Sequence, residues 1–224
     1  MKVSNFDSDN PPGELDRLAI ASRTDKSSRG HGYTRWYAPL FELVKNKPLN
    51  ILEIGVGNGA SLKLWESFFP AANIIGLDIN EKLLSLNRPR VEVRMLNAGV
   101  PLRWQQFLET PRKFDIIIDD GSHCLDDVLC AINHMWETVT PGGLYIIEDL
   151  GCQAFDSAPI KTAQDAVDAK LRWGNSFCGQ MVDFHAAHDS ESLTVYPSQN
   201  RHENTAGLSG QCLVVFQKKK QGAK

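Results

Sequence analysis

The chain reads as one α/β domain with a doubly wound, mostly parallel sheet, helices on both faces and an antiparallel strand pair at its C-terminal end. Three observations predict this. Short apolar strands alternate with helical periodicity from about residue 50 to 147, the pattern of βαβ units. Phe114-Asp115-Ile116-Ile117-Ile118 is near-continuously apolar, as a strand covered on both faces should be. The first strand runs directly into Gly55-Val56-Gly57-Asn58-Gly59, a glycine spacing that suits a tight strand-to-helix turn and makes the sheet Rossmann-like.

The elements follow in order. Asn10-Pro11-Pro12-Gly13 is a turn, and an amphipathic stretch after it places Leu15, Leu18 and Ala19 on one face. A polar segment, Thr24 to Gly32, leads to a helix from about Thr34 to Val44, which Pro48 ends. Strands are expected at Asn50–Ile54, Asn73–Leu77, Val91–Leu96, Phe114–Ile118 and Leu144–Ile147. Helices are expected at Ser61–Phe69, Glu81–Leu86, Leu102–Leu108 and Asp126–Val139, the last closed by Pro141-Gly142-Gly143. A further helix, Thr162–Trp173, precedes two strand-like runs, Ser192–Tyr196 and Cys212–Gln217, joined by a polar connection. Residues 1–48 are read as a helical cap or lid and 49–224 as the Rossmann-like domain, one globular unit.

Composition narrows the function. The 224 residues are 42% hydrophobic and 23% charged, ordinary for a globular domain of a size that needs no covalent staples. A net charge of −3 gives no broad basic face, so no nucleic-acid partner is expected. The one basic run, Lys218-Lys219-Lys220, reads as a solubilised chain end. No apolar stretch approaches the ~18 residues of a membrane span, and Met1 to Asn10 lacks the apolar core of a secretory leader, so a cytoplasmic protein with no membrane partner is expected. Five scattered cysteines without a CxxC pair indicate neither zinc nor a disulfide framework, and read as buried thiols.

The chemistry-bearing residues gather at predicted strand ends. Gly55 permits a tight turn, Gly57 lets the backbone approach a ligand, and Gly59 or Ala60 seats the next helix close to the sheet. Asp78 ends the second strand, 21 residues beyond Gly57, where a carboxylate can accept both hydroxyls of a ribose. These features fit any adenosine-bearing cofactor. Glu53, two residues before Gly55, would repel a pyrophosphate but suit an ammonium and a sulfonium, which favours S-adenosylmethionine over a dinucleotide. Further on, Asp119-Asp120-Gly121-Ser122-His123 ends the fourth strand and Glu148-Asp149 the fifth. Carboxylates crowded at this ligand-binding edge are resolved by a cation, and Asp120, Glu148 and Asp149 offer hard oxygens suited to Mg²⁺. His123, beside them and with an unperturbed pKa of ~6.5, is the candidate general base. His31, His134, His185, His188 and His202 lack such company.

Asp119 to His123 and Pro141 to Leu150 resemble the metal-dependent sugar O-methyltransferases of macrolide biosynthesis, the mycinamicin type. Thr24-Asp25-Lys26-Ser27-Ser28-Arg29-Gly30-His31-Gly32-Tyr33, with Tyr37 and Phe41 beyond, resembles that group's Thr-Asp-Lys-Gly-type signature. Ser61 to Trp65 and Phe69-Pro70 fit as well, so the likeness runs from about residue 15 to 150. The resemblance implies Asp120, Glu148 and Asp149 as metal ligands, and His123, with Asp120, as the catalytic residues. It implies Glu53, Gly55, Gly57 and Asp78 as S-adenosylmethionine contacts, with Thr24 and Tyr33 closing over that cofactor and Asn97 and Asp119 completing the set. Asn97-Ala98 departs from the family, which often carries Gly-Asp or Gly-Gln there. The family's separate N-terminal domain also lacks a counterpart, so its substrate and subunit interface do not carry over.

The resulting expectation is Mg²⁺-assisted transfer of a methyl group to a hydroxyl with a vicinal oxygen, on a sugar of a glycosylated natural product or glycan. A catechol acceptor shares the chemistry. An NAD-dependent oxidoreductase and a non-catalytic cofactor-binding protein are the readings from other classes, and a homo-oligomer is compatible with all of them. Gly151 to Pro159 and the loop before Cys212 are expected to line the acceptor pocket, and Trp173 and Phe177 are weighed as stacking rings against simple core packing.

Overall fold

The computed structural model describes residues 12–152, 159–204 and 207–222. Its seven-stranded sheet has the order β3-β2-β1-β4-β5-β7-β6. The strands are β1 (Asn50–Ile54), β2 (Asn73–Asp78), β3 (Val91–Met95), β4 (Phe114–Asp119), β5 (Val139–Cys152), β6 (Ser190–Asn204) and β7 (Gly207–Lys218). The first five pair in parallel; β7 is antiparallel to both β5 and β6. The polarity reversal lies at the chain's C-terminal end, as the sequence predicts.

Helices cover both faces. On one, α1 (Glu14–Ser22), α2 (Thr34–Phe41) and α3 (Ala60–Phe68) bury Leu15, Tyr37, Phe41, Leu62, Trp65 and Phe68 against Ile51, Ile74, Ile116 and Ile118. On the other, α4 (Pro101–Leu108), α5 (Leu125–Met135), α6 (Ala163–Trp173) and α7 (Phe177–Ala187) enclose Trp104, Phe107, Ile132, Met181 and Phe184 with Leu52, Ile117, Tyr145 and Ile147. Burying each large side chain contributes about 1.5–3 kcal/mol, so Leu15 of α1 and Tyr37 and Phe41 of α2 tie the segment before β1 to the domain. Tyr37, Phe41, Trp65 and Phe69 form an aromatic cluster with ring centroids 5.0–6.3 Å apart.

Register positions the site. Ile54 pairs with Asp119 and Asp119 with Ile147, so Gly55, Asp120 and Glu148 leave the carboxyl edge side by side.

Several expectations are corrected. The helix after Asp126 ends at Met135, a 3₁₀ turn follows, and β5 begins at Val139, so Pro141-Gly142-Gly143 lies within the strand. Gly142, with φ of +81°, interrupts the ladder to β4 there, which hides the strand's start. Glu81–Leu86 is a 3₁₀ segment. Helix α7 was not foreseen: Gly179 lowers its helical propensity, yet a Cβ there would lie 1.9 Å from Gly174 O, so the turn before α7 requires glycine. Strands β6 and β7 run well past 192–196 and 212–217, replacing the expected irregular connection. Lys218 is buried, not a frayed end, and its Nζ donates to Trp136 O at 3.2 Å. Cys178 and Cys212 are disulfide-bonded rather than reduced, whereas Cys124 and Cys130 carry free thiols. Trp173 and Phe177 pack against the core. Among the described residues no helix is long and apolar enough to cross a membrane.

Candidate active site

The turn after β1 is built by its glycines. Gly55 has φ of +83°, and a Cβ on it would lie 2.0 Å from Asp120 O, so only glycine lets the β1 turn and the end of β4 pass so closely. Gly57, φ +55°, faces open space. Asp78 braces the loop: its Oδ2 accepts from the backbone N–H of Val56 (2.9 Å) and Gly57 (3.1 Å), and Oδ1 from that of Asn80. Two cavities flank it, sharing Gly55, Gly57 and Asp120. One, about 390 Å³, is lined by Asp78, Ile79, Leu96, Asn97 and Ala98. The other, about 380 Å³, is lined by Thr24, Lys26, Ser61, His123 and Asp149. A wider cavity of about 630 Å³ opens at the opposite edge, by Asn50, Asn73 and Phe114, away from every residue of the acidic motifs.

In the second cavity Asp120, His123 and Asp149 each place a donor atom within 4.8 Å of the others. Both His123 (φ +58°) and Asp149 (φ +57°) adopt left-handed backbone conformations, strain of about 1–3 kcal/mol each that gathers at functional sites. At Asp149 this kink coincides with the register shift between Ile147 and Leu150. His123 Nε2 lies 3.9 Å from Asp120 Oδ1.

The other oxygen of Asp120 is turned inward. Lys26 Nζ donates to Asp120 Oδ2 at 2.5 Å and to Glu148 Oε2 at 2.8 Å, although the lysine is only 1% exposed. Tyr37 donates its hydroxyl to Glu148 Oε1. Burial alone would lower the Lys26 pKa, but Asp120 and Glu148 together raise it, so the ammonium stays charged. Burial raises the Glu148 pKa, and Lys26 only partly offsets this because one ammonium serves several acids. Burial likewise pushes Glu53 up to about 7, against Lys26 and the hydrogen bonds from Trp65 Nε1 (3.0 Å) and Ser61 Oγ (2.9 Å). Asp119 is pushed up to about 7 by burial, with Gly121 N–H and the Tyr145 hydroxyl opposing.

The expected site residues therefore divide. Thr24, Gly55, Gly57, Asp78 and Asn97 line the cavities, as do Asp120, His123 and Asp149. Glu53, Asp119 and Glu148 lie beneath them, 0–3% exposed and with their hydrogen bonds satisfied inside the protein. Tyr33, expected over the cofactor, is fully buried and donates its hydroxyl to Asp149 Oδ1 at 2.6 Å. Gln153–Ala158 of the expected acceptor wall lies outside the described residues.

Sequence reasoning missed three residues. Lys26 lies inside the Thr24–Tyr33 signature, which assigns it no role of its own. His31, which has no acidic neighbour in sequence beyond Asp25, stacks on Tyr33 with centroids 5.3 Å apart and brings Nδ1 to 3.4 Å from Asp149 Oδ1. Asp16, 4% exposed, accepts from Ser28 N–H, Ser28 Oγ and Thr34 Oγ1, shaping the loop that carries both. The glycines on either side of His31 were the available signal: a Cβ at Gly30 would lie 2.0 Å from Asp25 O, so the loop is tight and its side chains point in fixed directions.

Known proteins resemble this arrangement. A 2′-O-methyltransferase acting on 8-demethyl-8-α-L-rhamnosyl tetracenomycin C, from Streptomyces olivaceus, is 32% identical over 196 residues, covering 84% of this chain and 48% of its own. Mycinamicin VI 2″-O-methyltransferase of Micromonospora griseorubida is 35% identical over 148 residues, 61% of this chain and 36% of its own. The chain thus spans less than half the length of these relatives. The MycE methyltransferase of mycinamycin biosynthesis, solved with Mg, SAH and mycinamycin VI, superposes with a TM-score of 0.68 at 25% identity, over 97% of this chain and 57% of that one. A methyltransferase-domain family model matches residues 45–205, from before β1 through β6. The chain belongs to the methyltransferase domain family.

Proposed function

We propose that this protein transfers a methyl group from S-adenosylmethionine to a sugar hydroxyl of a glycosylated polyketide, assisted by a divalent cation such as Mg²⁺. The observation that carries the reading is the adjacency of the two cavities across Gly55, Gly57 and Asp120. One has the apolar walls and the carboxylate that an adenosine requires; the other has the carboxylates and imidazole of an acid–base centre. The relatives methylate sugars on tetracenomycin and mycinamicin scaffolds, which favours a sugar acceptor over a catechol.

Asp78 would receive the ribose, with Ile79, Leu96, Asn97 and Ala98 around the base. Gly57 leaves room for close approach of the backbone, and Thr24 stands at the lip of the methionine side. Glu53 acts from beneath, holding Ser61 and Trp65. The donor set fits a small hard cation: Asp120 and Asp149 present oxygens to a common space, and Glu148 lies immediately inside. A divalent cation there would supply Lewis acidity that eases deprotonation of the acceptor hydroxyl. His123, on the exposed side of Asp120, takes the proton at a ring nitrogen as the oxygen attacks the methyl carbon and S-adenosylhomocysteine departs. Orienting the two reactants is the larger contribution, ~7–11 kcal/mol in favourable cases. The segment 14–44 forms the inner wall of the site as well as a cap.

The test is calorimetric, then chemical. S-adenosylhomocysteine is titrated into metal-stripped protein and Mg²⁺ into the complex; rhamnosyl and catechol acceptors are then assayed for methyl transfer. Binding of both ligands and turnover on the rhamnoside are expected. Absence of nucleoside binding would remove the reading, and turnover on the catechol alone would replace the acceptor class.

A further inference from the structure

Three side chains of the 24–33 loop reach the acidic centre: Lys26 and Tyr33 each donate to one oxygen of a different carboxylate, and His31 Nδ1 lies 3.4 Å from the Asp149 oxygen that Tyr33 holds. Lys26 Nζ takes Asp120 Oδ2 at 2.5 Å, while Asp120 Oδ1 faces His123. Tyr33 takes Asp149 Oδ1 at 2.6 Å. Both donor side chains are essentially inaccessible to water, while the two carboxylates keep a partly exposed side toward the cavity. The loop cannot easily shift: Asp16 accepts two hydrogen bonds from Ser28 and one from Thr34 at the start of α2, and backbone bonds run from His31 N–H to Asp25 O (2.6 Å) and from Thr34 N–H to Lys26 O (3.0 Å).

We propose that Lys26 and Tyr33 are positioning residues: a two-point clamp that fixes the rotation of Asp120 and Asp149 and thereby sets the site's affinity for a divalent cation. The inference rests on the metal-assisted reading above. A carboxylate that could spin about its Cβ–Cγ bond would have to be immobilised by the cation itself, whereas here the immobilisation is built into the fold. Small divalent cations demand near-ideal ligand geometry, so orientation is the quantity the clamp controls. Lys26 also supplies the charge that lets buried Glu148 remain beside Asp120. An effect through charge alone has the opposite sign, because deleting an ammonium beside a cation site should tighten cation binding.

The experiment titrates Mg²⁺ calorimetrically into the metal-stripped full chain saturated with S-adenosylhomocysteine, for wild type, Tyr33→Phe and Lys26→Met, with thermal unfolding and S-adenosylhomocysteine affinity as controls. Loss of a hydrogen bond that orients a metal ligand typically weakens metal affinity about 10–100-fold, and that loss is expected in both variants while the nucleoside affinity is unchanged. Tyr33→Phe removes a single hydroxyl and decides the matter alone should Lys26→Met fail to fold. Wild-type Mg²⁺ affinity in Tyr33→Phe, or equal or tighter binding in a folded Lys26→Met, overturns the clamp. If wild type itself takes up no Mg²⁺ while binding the nucleoside, the metal-assisted reading falls and the clamp with it, a pattern distinct from failure of the clamp alone.

Discussion

Gly55 and Gly57 share a motif and a positive φ, yet the structure separates their roles, and alanine at each should expose the difference. At Gly55 the added methyl meets Asp120 O at 2.0 Å and Asp120 C at 2.6 Å, backbone atoms that cannot swing aside. The left-handed conformation costs an alanine about 1–2 kcal/mol. Forcing β1 and β4 apart at their ends adds about 1–3 kcal/mol, the usual range for overpacking. The sum, about 2–5 kcal/mol, corresponds to a fall of roughly 4–20 °C in Tm at about 2–4 °C per kcal/mol for a chain of this size. At Gly57 the methyl has nothing within 4 Å, so only the conformational term remains, roughly 2–8 °C on the same scale. The methyl then projects where a nucleoside must approach, and S-adenosylhomocysteine affinity should fall about tenfold or more, as ~1.4 kcal/mol of lost contact would give. Thermal unfolding and calorimetry on the two variants measure both quantities. A Gly55→Ala protein as stable as wild type, or Gly57→Ala with undiminished nucleoside affinity, would refute the assignment of one glycine to the scaffold and the other to the ligand.

Other perturbations follow from the same geometry. His123→Asn keeps a side chain tolerant of φ +58° and should lower turnover about 10²–10⁴-fold in a methyl-transfer assay, with nucleoside affinity retained. Asp149→Asn, for the same backbone reason, should fold normally but lose Mg²⁺ binding by calorimetry; chelation of wild type should abolish turnover, and added Mg²⁺ restore it. Glu53 titrates near 7 when folded and near 4.5 when unfolded, so between those values the folded state holds the extra proton. Its contribution is fully present below pH ~4.5 and is lost as pH rises through ~7. Glu53→Gln should therefore match wild type in Tm near pH 4.5 and exceed it in stability above pH 8, by on the order of 3 kcal/mol in denaturant titrations.

The strand ends were legible because their chemistry is local. Apolar runs locate β1, β2 and β4, and the glycines, Asp78, Asp120, His123 and Asp149 follow directly, so periodicity and adjacency place them at one edge. Other residues depend on contacts that adjacency does not encode. Glu53, Asp119 and Glu148 look like cavity residues by position, but the strand twist and the partners Ser61, Trp65, Tyr145, Tyr37 and Lys26 bury them. Lys26 is 94 residues from Asp120 and 122 from Glu148, and no pattern within a window reports such a pairing. Helix α7 was hidden by a glycine that tertiary packing requires.

The reach of Lys26 also bears on how the chain assembles as it is made. At roughly 5–20 residues per second, a ribosome adds Glu148 some 6–24 s after Lys26. For the first 94 of those 122 residues Lys26 has neither carboxylate partner, Asp120 then supplies one, and Tyr37 lacks its acceptor until Glu148 arrives. Segment 14–44 can lay its apolar side chains on α3, β1, β2 and β4 as soon as those elements exist, but its polar contacts wait for Glu148 and Asp149, so completion of the site follows the arrival of β5. A chain stalled before β5 would leave Lys26, Tyr33 and Tyr37 without their carboxylate acceptors on that strand, and nascent chains arrested on either side of Asp149 should differ in protease resistance between residues 14 and 44.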